Sequence, residues 1–286
     1  MIAQIDNLEK LIKPYLPTPL FEAARRIKHR GEENKRAKFE RFRGSVKKTI
    51  ESVRNLTVQQ CADREFLEKV FIPSLGLNDE FLNEQPSELS SHFGSGLHIW
   101  QYPNQLAGYL CWLSQNANGV KCYMEIGCRW GGMFILVSEW LRKNGADLDK
   151  VVALDLIRPT PFIDEYFKYL NESSSGGKKI EAIYICDNST SQEVSDLVAR
   201  VKPDLVFIDG DHGLKGVLLD HLLVRDHARI IVHHDVVSHS CPDTALHWNA
   251  VKKLERHDFE FFEFVDQYDS VKGSFLGIGA MKRRAS

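Results

Sequence analysis

Along the C-terminal two thirds of the chain, short apolar runs recur at intervals set by longer amphipathic stretches. Five of them, Val120–Ile126, Val151–Leu154, Ala182–Cys186, Leu205–Ile208 and Arg229–His233, are rich in β-branched and aromatic residues. A helix-length segment separates each from the next, the pattern of buried parallel strands with helices on both faces of a sheet. Two late runs, Glu260–Val265 and Ser274–Met281, flank a short polar segment and predict a terminal hairpin. The expected fold class is therefore α/β, with a mostly parallel sheet and a C-terminal antiparallel hairpin.

Residues 1–95 have a different texture and predict a helical N-terminal extension, with the main domain spanning 96–286. Between Arg25 and Lys48 the basic residues far outnumber Glu32, Glu33 and Glu40. Ahead of that run, Leu8 to Phe21 offers apolar residues broken by prolines. Such a pair of segments suits peripheral contact with an anionic membrane surface. It suits better a helix face packed on the main domain or on a second subunit of a homo-oligomer.

Composition narrows the class. A chain of 286 residues that is 43% apolar and 27% charged is an ordinary globular protein. Its formal charge of -2 gives no global argument for nucleic acid as a partner. Six cysteines lack paired spacings, and several sit inside apolar runs where a free thiol acts as a small hydrophobe. That pattern favours a reducing compartment over a disulfide framework or a zinc site. Charges interrupt every apolar run, so no secretory or spanning segment is expected. The expectation is a cytoplasmic protein, peripheral to the inner face of a membrane if the N-terminal segment is used that way.

The first dense signal is Tyr123-Met-Glu-Ile-Gly-Cys-Arg-Trp-Gly-Gly132. An apolar approach leads to Glu125; Gly127 and Gly131 follow, then an apolar helix. Glycine there lets the backbone approach a ligand closely and take turn angles that a side chain forbids. The spacing differs from the Gly-x-Gly-x-x-Gly that holds a pyrophosphate. A carboxylate at this point suits a cationic or hydroxyl-rich ligand. Ligands in open α/β sheets bind beyond the carboxyl ends of the strands. Those ends carry, in order, Glu125, Asp155, Asp187, Asp209 and Asp235. Like charges gathered at one edge repel unless a cation or a set of hydroxyls offsets them.

These residues resemble the motifs of the class I S-adenosylmethionine-dependent methyltransferases, a Rossmann-like family. Glu125-Ile-Gly127-Cys-Arg-Trp-Gly131 is similar to their first motif, Asp155 to the second-strand residue that holds the ribose hydroxyls, and Asp187-Asn188 to the third-strand end beside the adenine. The resemblance covers roughly residues 96–282. Gln101, Tyr102 and Gln105, ahead of the first strand, stand where related enzymes close over the cofactor, and Gln105 is taken as a cofactor contact.

A second dense signal is Asp204-Leu-Val-Phe-Ile-Asp209-Gly-Asp211-His212, followed by Ile230-Ile-Val-His233-His234-Asp235 on what should be the neighbouring strand. Adjacent strands lie about 5 Å apart, so the two ends can converge on one ion or one hydroxyl. The Ile-Asp-Gly-Asp-His string and the ending Lys272–Gly279 are similar to the metal-assisted O-methyltransferases of sugars and the cephamycin-type branch. That resemblance implies that Asp209 and Asp235 bind a divalent metal, magnesium or manganese, and that Asp211 or His212 is the general base. Members usually place a third oxygen ligand beside the second-strand Asp. Here the neighbours are His234 and Val236, so His234 is a metal ligand, or water fills the position, or no metal binds. Imidazole suits manganese, iron or zinc better than magnesium. His233 should point to the opposite face from His234. His239, His247 and Trp248 are candidates to line a substrate pocket.

The expected function is methyl transfer from S-adenosylmethionine to a hydroxyl of a small molecule or glycan. The N-terminal texture, similar to that of enzymes of surface-polysaccharide assembly, makes a sugar the first choice; natural-product biosynthesis is the other setting of this branch. The alternatives are a metal-independent N- or O-methyltransferase, and a nucleic-acid-binding protein gripping through the basic helix.

Overall fold

The structure, a computed structural model, describes residue 42 and residues 44–80, 84–172 and 179–285. The apolar Leu8–Phe21 segment and most of the basic 25–48 run lie outside the described residues. Seven strands are present among the described residues: β1 (Cys122–Ile126), β2 (Lys150–Asp155), β3 (Glu181–Cys186), β4 (Leu205–Ile208), β5 (Ile230–His234), β6 (Phe259–Phe264) and β7 (Ile278–Arg283). They form one sheet in the order β3-β2-β1-β4-β5-β7-β6. The first five pair in parallel, and β7 runs antiparallel to both β5 and β6. The alternation of apolar runs thus predicts the sheet correctly, including its antiparallel end.

Strand β7 begins four residues later than the apolar run suggests. Leu276 and Gly277 have φ of 59° and 100°, outside the extended region, so the chain is still turning where the pattern already reads as strand. The apolar residues of that loop, Phe275 and Leu276, instead join Tyr102 and Val271 in a small separate cluster.

Among the described residues, six long helices flank the sheet. Pro103–Asn116 (labelled α2, after α1, Ser45–Asn55), α3 (Gly132–Lys143) and α4 (Pro161–Glu172) bury Leu106, Phe134 and Ile163 against one face, with Tyr123, Ala153, Phe207 and Val232. Helices α5 (Gln192–Val201), α6 (Leu214–Arg225) and α7 (Pro242–Leu254) bury Val194, Val224 and Trp248 against the other face, with Met124, Leu154, Ile208 and Ile231. Alternate strand residues serve opposite layers, as a period of two requires.

The described part of the N-terminal third shares the main core. In α1, Val46, Thr49, Ile50 and Val53 are buried, the spacing of one helix face. Val46, Ile50 and Val53 pack in the same cluster as Phe134 and Trp140 of α3. Arg54 at the end of α1 reaches Glu139 of α3, a carboxylate 1% exposed that also pairs with Arg142. Helical structure continues to Leu75, after which Gly76, Gly94 and Gly96, all at positive φ, break it. Cβ atoms at Gly76 and Gly96 would lie 2.1 Å from the Ser95 carbonyl oxygen and 1.8 Å from that of Leu75, so two backbone segments touch where only glycine fits. Among the described residues, no helix is long and apolar enough to cross a membrane.

Candidate active site

The sheet order places the five acidic positions in spatial sequence along one rim: Asp187, Asp155, Glu125, Asp209 and Asp235. Register makes them neighbours, because Ile126 pairs with both Leu154 and Ile208, and Ile208 pairs with His233. The residues just beyond, Asp209 and His234, therefore lie side by side. Glu125, Asp155, Asp209 and His234 fall on the face of the sheet covered by α2, α3 and α4, whereas His233 points into the other layer, as alternation requires.

Asp209, His234 and Asp235 offer ligand atoms that all lie within 4.8 Å of one another. His234 Nδ1 is 3.1 Å from Asp209 Oδ1 and 3.5 Å from Asp235 Oδ2. Neither contact has hydrogen-bond geometry, and Asp235 Oδ1 is also buried without a partner among the described residues. Two orphaned buried donor atoms beside a carboxylate are what a cation site looks like before the cation is counted. The set of one imidazole and two carboxylates suits manganese, iron or zinc and accepts magnesium less readily. Asp235 itself has φ 58°, a left-handed conformation that turns its carboxylate back over the strand end.

Burial is the largest single influence on this group and opposes charge on each member. The mutual attraction outweighs it: Asp209 and Asp235 raise His234 well above the ordinary imidazole value, and His234 lowers both carboxylates. His212 stands beside them, with Nε2 3.1 Å from Asp209 Oδ1 and 3.6 Å from Asp235 Oδ2. Its hydrogen bond to Asp209, assisted by one to Cys241, pushes its pKa up to about 10 against the cost of burial. Cys241 Sγ lies 3.3 Å from His212 Nδ1 and 3.2 Å from Asp235 Oδ2.

Asp211 is placed differently. Its Oδ1 accepts the Gly213 N–H at 2.9 Å at the start of α6, and its side chain lies against Gly216, where a Cβ would come within 2.3 Å of it. The fold thus brings His212, not Asp211, into hydrogen-bonding contact with Asp209.

On the cofactor side of the rim, Glu125 is 2% exposed and receives the Tyr123 hydroxyl. Burial holds its carboxyl at about 8 in spite of that hydrogen bond, with the Asp209 charge adding to the rise. Asp155 accepts the Arg129 N–H at 2.6 Å and the Ile157 N–H at 3.1 Å, so it pins the glycine turn to the end of β2. Asn188 Oδ1 accepts from the Thr190 N–H and hydroxyl, and Asp187 Oδ1 from the Asn188 N–H, which shapes the turn before α5.

Contacts within the protein already engage several of the positions named from the sequence. The turn glycines answer first to protein: a Cβ at Gly127, where φ is 84°, would sit 1.9 Å from the Asp209 carbonyl oxygen, and one at Gly131 2.5 Å from Ile163 Cγ1. Gln105 spends every hydrogen bond of its amide inside the protein. Its Nε2 donates to the carbonyls of Asp266 and Phe275, and its Oε1 accepts from Gly277 N–H and Gln101 Nε2. His247 and Trp248 are buried in the layer of α6 and α7, not in a pocket at the rim, because β5 alternation carries His233 and its neighbours there. His239 does remain near the rim, with Nδ1 2.7 Å from the Ser274 carbonyl oxygen.

Gln101 and Cys241 are site residues whose contacts the sequence did not disclose. Gln101 meets His234 across 133 positions of chain, a distance no local pattern spans. Cys241 had a weak signal, since it precedes the proline that opens α7.

No family model matches the chain, and no curated protein matches it. Solved structures similar in shape include an O-methyltransferase from Bacillus cereus in complex with SAH (15% identity, TM-score 0.40, 63% of this chain and 78% of that one). Another is the O-methyltransferase TomG from Streptomyces achromogenes, involved in tomaymycin synthesis, in complex with SAM (15% identity, TM-score 0.44, 80% and 100%). A third is a putative rRNA methylase from Clostridium thermocellum (10% identity, TM-score 0.44, 63% and 98%). All three are methyltransferases; at this degree of overlap the reading of the site rests on its own residues.

Proposed function

We propose that the protein moves the methyl group of S-adenosylmethionine to a hydroxyl of a small molecule, a sugar or glycan in the first instance, with a divalent cation at Asp209, His234 and Asp235. The observation that carries this reading is the convergence of those three residues within 4.8 Å on the same rim as Glu125 and Asp155. A sulfonium donor and a cation are the charges such a rim needs.

Asp155 would take the ribose hydroxyls, since each carboxylate oxygen retains acceptor capacity beyond its one backbone N–H. Glu125 and the 127–131 turn would face the charged end of the donor, and Asp187 and Asn188 the adenine. A bound cation would supply stabilisation of the negative charge developing on the acceptor oxygen. His212 removes the acceptor's proton: it stands within reach of both carboxylates, and its imidazole can cycle near neutrality once those carboxylates are engaged elsewhere. Asp235 and Cys241 orient its ring. Methyl transfer then needs only that the oxygen be held in line behind the methyl carbon.

A metal-independent methyltransferase is the second reading. It is favoured by the way protonated His234 and His212 can neutralise Asp209 and Asp235 without a cation. Calorimetric titration with S-adenosylmethionine, before and after chelation and with Asp209→Ala, separates the two. Donor binding should survive chelation in both forms, and turnover of a sugar acceptor should not. Turnover indifferent to chelator moves the conclusion to the second reading; no donor binding at all ends both.

A further inference from the structure

A second group of ring nitrogens is buried on the opposite side of the sheet. His221 comes from α6, His233 from β5 and His247 from α7, and they are 1%, 0% and 3% exposed. Their ring centroids are 5.2–5.3 Å apart. One nitrogen from each lies within 4.8 Å of the other two. We propose that His221, His233 and His247 bind a divalent transition cation that prefers nitrogen ligands, zinc in the first instance, at a site separate from the acidic rim.

Geometry and chemistry both point there. A core position has cheaper occupants than imidazole, whose polar atoms must be satisfied once buried. Here His247 Nε2 has no hydrogen-bond partner among the described residues. His221 is oriented from behind: its Nε2 lies 3.1 Å from Glu255 Oε1, and Glu255 is itself held by Arg225 Nε at 3.0 Å. With the Nε2 proton donated to the carboxylate, Nδ1 carries a bare lone pair towards its neighbours, the arrangement that orients a metal-bound histidine. His221 Nδ1 is 3.2 Å from His233 Nε2. Two nitrogens at the usual zinc distance on adjacent corners of a tetrahedron would stand about 3.3 Å apart.

The remaining nitrogen, on His247, closes in by a small ring adjustment, and water takes the fourth corner. Three neutral ligands leave the dication largely uncompensated, and the Glu255 carboxylate behind His221 offsets part of its charge. Because no oxygen donor belongs to this group, it selects against magnesium more strongly than the rim with its two carboxylates does. The cation would tie α6, β5 and α7 together directly beneath His234.

The test uses the full chain carrying Asp209→Asn and Asp235→Asn, which disables the rim, with zinc or cobalt(II) alone as the probe. After stripping with chelator and dialysis against metal, one equivalent of zinc should remain per chain. Cobalt should give the absorption bands of a tetrahedral site, and zinc should raise the melting temperature. Adding His247→Gln should abolish all three. Failure of the rim-disabled protein to retain metal overturns the proposal, as does equal retention after His247→Gln. Should that last variant not fold, histidine side-chain NMR of the rim-disabled protein decides. Zinc must shift His221, His233 and His247 together; shifts confined to His212, His234 or His239 overturn the assignment.

Discussion

Gln101 Oε1 accepts a hydrogen bond from His234 Nε2, and this contact settles which imidazole nitrogen faces Asp209. The assignment can be traced from the backbone. Gln105 must direct its NH₂ at the carbonyls of Asp266 and Phe275, so its Oε1 takes the Gly277 N–H and the Gln101 NH₂. Gln101 then has only its oxygen to offer His234. With Nε2 protonated, Nδ1 is the atom left for a ligand.

Gln101→Leu should remove that constraint while keeping the volume apolar and similar. The expected outcome is a loss of about 10–100-fold in manganese affinity or metal-stimulated turnover, with donor binding unchanged. Titration of metal against turnover checks it, and an unchanged activation curve would mean that His234 needs no such orientation.

Glu125 gives a pH dependence with a defined sign. Its folded-state pKa of about 8 exceeds the unfolded value of about 4.3, so between the two the folded chain holds the extra proton. Stability contributed by that proton is present at low pH and is lost as pH rises through this window. Ligand-free Glu125→Gln should therefore melt close to wild type near pH 5 and several degrees higher at pH 8.5, measured by scanning calorimetry. A constant offset across the range would refute the buried-carboxyl account. Above pH 8, where the carboxyl is ionised, the same variant should bind S-adenosylmethionine about 10-fold more weakly, equivalent to about 1.4 kcal/mol.

His212 gives a dependence of the same sign at higher pH. With its pKa raised to about 10, the stabilisation it gives is full below about 6.5 and disappears as pH rises through 10. In chelator-treated protein its NMR signal should remain that of an imidazolium at pH 8. Asp209→Asn should bring the midpoint down towards 6.5, because the charged hydrogen-bond partner that does most to raise it is then gone. A midpoint near 6.5 in the unmutated, metal-free protein would contradict the geometry.

Gly279→Ala probes the junction of β7 with α7. A Cβ there would stand 2.5 Å from the ring of Trp248, which is 1% exposed and cannot retreat. Overpacking of this kind costs about 1–3 kcal/mol, visible as a lower urea midpoint with an unchanged slope. A change below about 0.5 kcal/mol would show that the indole has room to move.

The sheet was legible in the residues because each strand is a short apolar run with a helix after it, and a carboxylate marks where each parallel strand stops. The acidic rim followed from those marks and from one general rule about ligand placement. What stayed hidden is long-range and polar. Gln105, named as a cofactor contact, also bonds Asp266, Phe275 and Gly277, 161 to 172 positions away, which no local pattern records. His221, His233 and His247 carry no common motif, and only the packing of α6 and α7 on β5 unites them. The start of β7 was misplaced because hydrophobicity records burial, whereas Leu276 and Gly277 turn by φ, which hydrophobicity does not record.

The carbonyl of Asp209 fills the space that a methyl group on Gly127 would need. The loop expected to cradle the donor and the loop expected to activate the acceptor are thus in direct atomic contact, with no side chain between them to act as a cushion. Any substrate that displaces one by a fraction of an ångström displaces the other. Alignment of the two ends of the proposed reaction would then be built into the scaffold.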